Sequence, residues 1–430
     1  MKKKHKKPKV VIIGAGFGGL NAAMALRNAP VDILVIDKTN HHLFQPLLYQ
    51  VASAALFSGN IASPIREVLC HQENAHVIMA TIETIDTTAK QVIAQNGECF
   101  AYDYLIIATG SRHAYFAHPE WEEFAPGLKT LQDAMTIRER VLTTLEMAER
   151  CDNLITATNL MRFVIIGGGP TGVEMSGAIA EITRKTMFKN FRKIKPEHSE
   201  IFLFEGNDNI LQAYPEKLSI SAERALEKMG VKVKTNARVT NIHAHGVDIG
   251  EESLATTNII WAAGNQASPI LKTLNTLLDP QGKAMVEKDL SLPNHPEIFV
   301  IGDAAHNITE EGLLLPGIAP VAIQQGKYVA QLIKNELKTI KRTPFKYKDK
   351  GMMATIGKAQ AVVSIGKLQM AGFFAWVTWS IIHILYLVSF RNRLSVMLQW
   401  SFWYITSSRN ERLISRPIED SHFLFRPKKQ

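Results

Sequence analysis

Two glycine clusters, each followed at a distance by a carboxylate, carry the chemistry this 430-residue sequence offers most plainly. The first is Gly14-Ala15-Gly16-Phe17-Gly18-Gly19, with Asp37 lying 23 positions after Gly14. Gly14 permits a tight turn, Gly16 lets the backbone approach a pyrophosphate, and Gly19 lets a helix pack closely on a strand. Asp37 stands where a carboxylate accepts the ribose hydroxyls of an adenosine, and Lys38 beside it is assigned to the same nucleotide. The second cluster is Gly167-Gly168-Gly169-Pro170-Thr171-Gly172, and its carboxylate, Glu205, lies 38 positions after Gly167. That spacing is longer than usual, and the basic stretch Lys185 to Lys195 absorbs the excess. A glutamate there accepts a 2′-hydroxyl and repels a 2′-phosphate, which favours NADH over NADPH.

These turns must be held by strands and helices. Lys9 to Ile13 reads as a buried parallel strand, Leu20 to Arg27 as the following helix, and the apolar run Val31 to Ile36 as the next strand. The pattern returns as a strand from Arg162, a helix from Val173 to about Lys185, and a strand Ile201 to Phe204 that delivers Glu205. Tyr104-Leu-Ile-Ile-Ala108-Thr109-Gly110 has a twin in Asn258-Ile-Ile-Trp261-Ala262-Ala263-Gly264. Ile298-Phe-Val-Ile-Gly302-Asp303 is a later apolar strand ending on an acid. The fold class predicted is α/β, with two Rossmann-like dinucleotide-binding domains. Two nucleotide sites in one chain point to a relay between nucleotides, the usual pair being FAD and a nicotinamide; the alternative is a glycine turn that binds nothing.

Composition agrees with a folded chain of two or three domains, 46% hydrophobic and 21% charged. The net charge of +9 suits an anionic membrane surface or a nucleic acid. The basic tail has no aromatic or motif context for nucleic acid, so none is expected. Cys70, Cys99 and Cys151 lie far apart, which argues against a disulfide framework, a zinc site or a dithiol centre, and for a reducing, cytosol-facing environment. No metal is expected. The six lysines between Met1 and Lys9 precede an apolar run too short for a signal peptide; they form either a solvated tail or a membrane-surface contact.

Together these segments resemble the two-dinucleotide-binding-domain flavoproteins, and within them the type II NADH:quinone dehydrogenases. The resemblance implies a discontinuous FAD domain into which the NADH domain is inserted, and it gives Asp303 to the ribityl chain of a non-covalent FAD. Asn40-His41-His42-Leu43-Phe44-Gln45-Pro46-Leu47-Leu48-Tyr49-Gln50 looks like the family's motif and stands where sister families carry redox cysteines, so the flavin must pass electrons directly to its acceptor. Sulfide:quinone oxidoreductases would need such cysteines. Tyr49 either contacts the flavin or packs; His41 and His42 are expected to pack. Gly312 to Gly326 resembles, in its closing residues from Pro316, the family's A-Q-x-A-x-Q-Q-G motif, which places Ala322 and Gln324 at the flavin and the quinone. Pro320 departs from the pattern, but proline suits a helix's first turn. Glu174 faces nicotinamide and flavin in the family. Burial there would raise its pKa and make it a proton donor; a purely helix-terminal role would lower it.

After a basic linker from Lys341 to Lys350, no charged residue occurs from Leu368 to Phe390, and a second uncharged run extends from Leu394 to Ser408. Four tryptophans, Trp376, Trp379, Trp400 and Trp403, fall here. Tryptophans in mid-run suit an interfacial helix better than a span, and Arg391, Arg393, Arg409, Arg412 and Arg416 would meet lipid phosphates. A true span and a dimer interface or core are the alternatives. The predicted architecture is 1–115 and 285–340 for the FAD domain, 116–284 for the NADH domain, and 341–430 for a C-terminal amphipathic helical membrane-binding module with quinone access. The expected activity is non-proton-pumping hydride transfer from NADH to FAD and onward to quinone, at the cytoplasmic face of an inner or plasma membrane, with a homodimer possible. Its rivals are a soluble reductase of an electron-transfer protein and a flavin- and NADH-sensing protein.

Overall fold

The structure, a computed structural model, describes residues 7–186, 190–310, 312–406, 409 and 411–414. The N-terminal lysines before Lys7, Ser408, Arg416 and the far C-terminus lie outside the described residues. The chain divides into two compact units, each discontinuous: 1–43, 63–112 and 265–349 form one, and 44–62, 113–264 and 350–430 the other.

The first unit is built on a six-stranded sheet in the order Ser291–Leu292, His295–Val300, Tyr104–Ile107, Lys9–Ile13, Asp32–Asp37, Ala75–Met79. All neighbours pair in parallel except the short edge strand at Ser291. Strands covered on both faces read as continuous Val and Ile runs, as Val10 to Ile13 and Ile33 to Ile36 do. Helix Phe17–Ala25 packs along helix Ala319–Glu336. A Cβ on Gly326 would lie 2.2 Å from the Gly18 carbonyl oxygen, so only glycine lets these helices approach so closely. Residues expected to close the NADH domain, up to 284, belong here instead. Ala267, Ile270, Leu271, Leu274 and Ala284 bury their side chains in one cluster with Val11, Ile13 and Ile107, which places the boundary at Asn265.

The second unit carries a four-stranded parallel sheet in the order Val231–Lys234, Glu200–Phe204, Arg162–Ile166, Asn258–Trp261. Helix Leu131–Arg150 starts at a capping box: Asp133 N–H donates to Thr130 Oγ1 at 3.1 Å, and Thr130 N–H donates to Asp133 Oδ2 at 2.8 Å. Helix Pro170–Glu181 packs against strand Met352–Gly357, where a Cβ on Gly177 would lie 1.7 Å from the Ile356 carbonyl oxygen.

The first uncharged run is not one helix. Leu368–Gly372 is a strand, antiparallel to Gln360–Ile365. Gly372, at φ +87°, ends it and caps helix Phe373–Tyr386; a second helix, Phe390–Thr406, follows. Among the described residues no helix is long and apolar enough to cross a membrane.

Candidate functional site

The first glycine turn connects strand Lys9–Ile13 to helix Phe17–Ala25. Gly14 adopts φ +95°, and a Cβ there would lie 2.4 Å from the Ala108 carbonyl oxygen. Gly19 is tighter still, at 1.8 Å from the Gly14 oxygen, whereas a Cβ on Gly16 would meet nothing within 4 Å. Two glycines are therefore demanded by the protein itself, and the third leaves open space above the helix N-terminus, where a pyrophosphate fits. Gly18 packs on Ile301, 3.0 Å from its Cδ1. Asp37 accepts from Ala15 N–H at 2.7 Å and from the backbone and hydroxyl of Thr39 at 2.8 Å each, so its carboxylate is fixed before any ligand arrives. Lys38 beside it is exposed.

Within the same unit, Gly110 turns at φ +65° into open space and the buried Thr109 hydroxyl has no partner among the described residues. Asp303 accepts from Ser111 Oγ at 2.7 Å. Gly302 N–H donates to Gln325 Oε1 at 2.6 Å, and Gly302 packs against Ala322, whose methyl would lie 3.3 Å from an added Cβ. Helix Ala319–Glu336 has Pro320 in its first turn, as the sequence reading required. Gln324 exchanges two hydrogen bonds with the backbone of Lys348, at 2.9 and 3.0 Å, so its carboxamide ties the helix to the linker. His42 is buried with Nδ1 2.9 Å from the Ala15 carbonyl oxygen and packs as expected, whereas His41 is half-buried and bonds the adjacent Asn40 at 3.1 Å.

The second turn repeats the first in the other unit. Gly167 adopts φ +108°, Gly172 would place a Cβ 1.8 Å from the Gly167 oxygen, and Gly169 faces open space. Glu205 Oε2 accepts from Gly168 N–H at 2.6 Å, and Oε1 accepts from the backbone N–H and side-chain amide of Asn207 at 3.0 and 2.6 Å. The twin segment is braced by Trp261, whose indole donates to the Ala114 carbonyl at 3.1 Å; Ala263 is half-buried, and Gly264 approaches Phe116.

A narrow cleft in this second unit gathers Glu174, Tyr49, Gln50, Glu181, Thr355, Trp376, Trp379, Trp403, Tyr404 and Arg409. Glu174 lies on helix Pro170–Glu181 past its first residues, where the macrodipole fades. Desolvation dominates and pushes its carboxyl up to about 8, opposed by Thr355 N–H at 3.5 Å. Tyr49 accepts from Gln50 Nε2 at 2.7 Å, and Gln50 Oε1 accepts from Trp400 Nε1 at 2.7 Å. Burial and the Glu174 charge push the Tyr49 phenol well above its ordinary value. At the far end, Arg409 and Glu181, 1% and 7% exposed at their side chains, pair at 2.9 Å. Arg409 also donates to the Ser53 carbonyl, and Glu181 also accepts from Lys358 N–H.

Residues 8–326 match the family model described as pyridine nucleotide-disulphide oxidoreductase. The chain is 40% identical to the type II NADH:quinone oxidoreductase NdhA of Mycobacterium tuberculosis, over 95% of this chain and 89% of that one. It is 39% identical to the Ndh protein of the same organism, which bears the same description, over 95% of this chain and 91% of that one. The chain belongs to the type II NADH:quinone oxidoreductases. In fold it is similar to NDH2 from Plasmodium falciparum in complex with NADH, with a TM-score of 0.84, 20% identity, and coverage of 96% of this chain and 100% of that one. Despite the family model's wording, Cys70, Cys99 and Cys151 are all free, as the sequence reading expected. Arg409, expected among lipid phosphates, is instead buried against Glu181, and Trp379, Trp400 and Trp403, expected at a lipid interface, are buried as well. Gln325, Gln50 and the pairing of Glu181 with Arg409 were not singled out from sequence. Gln325 had a signal in the doubled glutamine of its motif, but the ion pair had none, because its members are 228 residues apart.

Proposed function

We propose that the protein oxidises NADH at a non-covalently bound FAD and delivers the electrons to a membrane quinone without pumping protons. Membership of the family supports the reaction. The observation that carries the residue assignment is Glu174, a carboxyl held protonated near neutral pH in a cleft lined by Tyr49 and the C-terminal aromatics. FAD would be held by Gly14, Gly16, Gly18, Gly19, Asp37, Lys38, Thr109, Gly110, Asp303 and Ala322. The flavin supplies reversible two-electron chemistry when bound. Gly16 and Thr109 offer the open cradle and the unpartnered hydroxyl that such a group would fill.

NADH would be held by Gly167, Gly169, Gly172, Glu205, Ala263 and Gly264, with Glu205 oriented by Gly168 and Asn207 toward the adenosine ribose. Hydride transfer asks these residues for close alignment and no acid or base. Reduction of a quinone to a quinol requires two protons, of which Glu174 would give one and then be re-protonated from solvent. Tyr49, held by Gln50 and Trp400, walls the same cleft. Gln324 acts through the linker backbone it grips.

The helices Phe373–Tyr386 and Phe390–Thr406 leave Phe373, Phe374, Leu385, Phe390, Leu398 and Ile405 exposed, with Arg391 nearby. Such a face suits monotopic binding to an anionic lipid surface on the cytoplasmic side. A homodimer through the same face is the alternative that vesicle binding would distinguish. The test of the reaction is anaerobic: the purified yellow protein should bleach on adding NADH and recover its colour when a short-chain quinone follows. Failure to bleach refutes the NADH half, and failure to recover refutes the quinone half.

A further inference from the structure

We infer that Arg238 is the second determinant of nucleotide choice, a cation poised for the 2′-phosphate of NADPH that Glu205 holds in check. This rests on the reading of the second glycine turn as the NADH site. Past the end of strand Glu200–Phe204 the chain is laced to the segment after strand Val231–Lys234. Glu205 N–H donates to the Lys234 carbonyl, Asn236 N–H to the Asn207 carbonyl, and Ala237 N–H to the Glu205 carbonyl, each at 2.9 Å. Asn236 turns in the left-handed region at φ +53°, which brings Arg238 back across Gly206. A Cβ on Gly206 would lie 3.2 Å from Arg238 Cγ and 3.6 Å from its Nε, so the side chain lies directly over that glycine.

The charges there are unevenly used. Both oxygens of Glu205 are turned toward Gly168 and Asn207, and no ion pair joins them to Arg238. Arg238 is exposed and has no hydrogen bond or ion pair among the described residues. Lys234 is exposed on the same segment, and Asp208 is the other acid in the neighbourhood. In dinucleotide folds the carboxylate at the end of the second strand takes the 2′-hydroxyl, and a nearby arginine accommodates a 2′-phosphate. This chain carries both. The planar guanidinium suits a phosphate in a bidentate way that a lysine cannot match. The carboxylate repels the phosphate, and Arg238 attracts it; selection for NADH is the balance of the two.

The test compares kcat/KM for NADH and NADPH, with a short-chain quinone as acceptor, in the full-length wild type, Glu205→Gln, Arg238→Gln and the double variant. Removing the carboxylate charge should raise the NADPH-to-NADH ratio at least tenfold, and Arg238→Gln in that background should return most of the gain. In the otherwise wild-type chain, Arg238→Gln should lower the ratio further. An equal gain with and without Arg238 would overturn the proposal, as would a loss in Arg238→Gln that falls equally on both nucleotides. If the wild type oxidised neither nucleotide, the NADH reading itself would fail. That outcome is separable, because it appears before any variant is made.

Discussion

Glu174 shows how a single residue's role is decided by competing magnitudes. A glutamate near a helix start is expected to have a lowered pKa, since the positive end of the helix favours its charge by a few tenths of a kcal/mol to about 1 kcal/mol. Here the side chain enters a cleft walled by aromatics, desolvation outweighs that gain, and the carboxyl rises from 4.5 to about 8. Quinone-dependent turnover should therefore decline as pH rises through about 8, where the donor loses its proton. Glu174→Gln should lower kcat about a hundredfold and remove that limb of the profile. The linkage has a definite sign. The folded carboxyl binds its proton more tightly than the unfolded one, so ionisation penalises the fold increasingly between pH 4.5 and about 8. Glu174→Gln should gain stability over wild type across that interval in denaturant titrations, and an unchanged difference would contradict the shift. Asp37 and Glu205 teach a complementary lesson. Their positions were legible from spacing, but their bonds to Ala15, Thr39, Gly168 and Asn207 were not, because those depend on how the turn closes in three dimensions.

At the scale of elements, the glycine turns were readable because backbone geometry dictates residue type. Gly19 and Gly172 must be glycine wherever a helix crosses so close to the preceding turn. The strand that opens the C-terminal run was not legible, because absence of charge says nothing about hydrogen-bond pattern. The signals that could have marked it were Gly366 and Gly372, at φ +55° and +87°, which form the hairpin turn and the helix start. Buried ion pairs leave no local mark at all. Arg409→Ala would strand the Glu181 carboxylate in the interior and should cost about 3–5 kcal/mol. Pairing it with Glu181→Gln should recover much of that, measured by chemical denaturation; a near-zero cost for the single change would show that the pair is not buried in solution. Gly326→Ala drives a methyl toward the Gly18 carbonyl in the helix that follows the first nucleotide turn. It should cost about 1–3 kcal/mol as overpacking and should weaken FAD retention in the same protein, measured as flavin released on dilution.

For the whole molecule, the sequence indicated two nucleotide-binding units and an aromatic C-terminus, but not that residues 44–62 pack with 113–264 and the C-terminus or that 265–284 pack with the unit of the first glycine turn. Those memberships are set by packing between segments distant in the chain, as Ala284 with Val11 and Trp400 with Gln50 show. The exposed aromatic and aliphatic side chains of the two C-terminal helices should carry the protein to anionic vesicles, with salt weakening the attachment. Replacing Phe374 and Leu398 by serine should shift it to the soluble fraction in flotation assays while leaving oxidation of NADH by a water-soluble short-chain quinone largely intact. Loss of that activity together with vesicle binding would mean that these helices shape the reaction site itself. Electron transfer from NADH to quinone by this one chain is read out by steady-state oxidation of NADH, followed by absorbance with and without a short-chain quinone and with NADPH as the control donor. Rapid, quinone-dependent oxidation of NADH and a much slower rate with NADPH are predicted; a flavin that NADH reduces but quinone does not reoxidise would contradict the account.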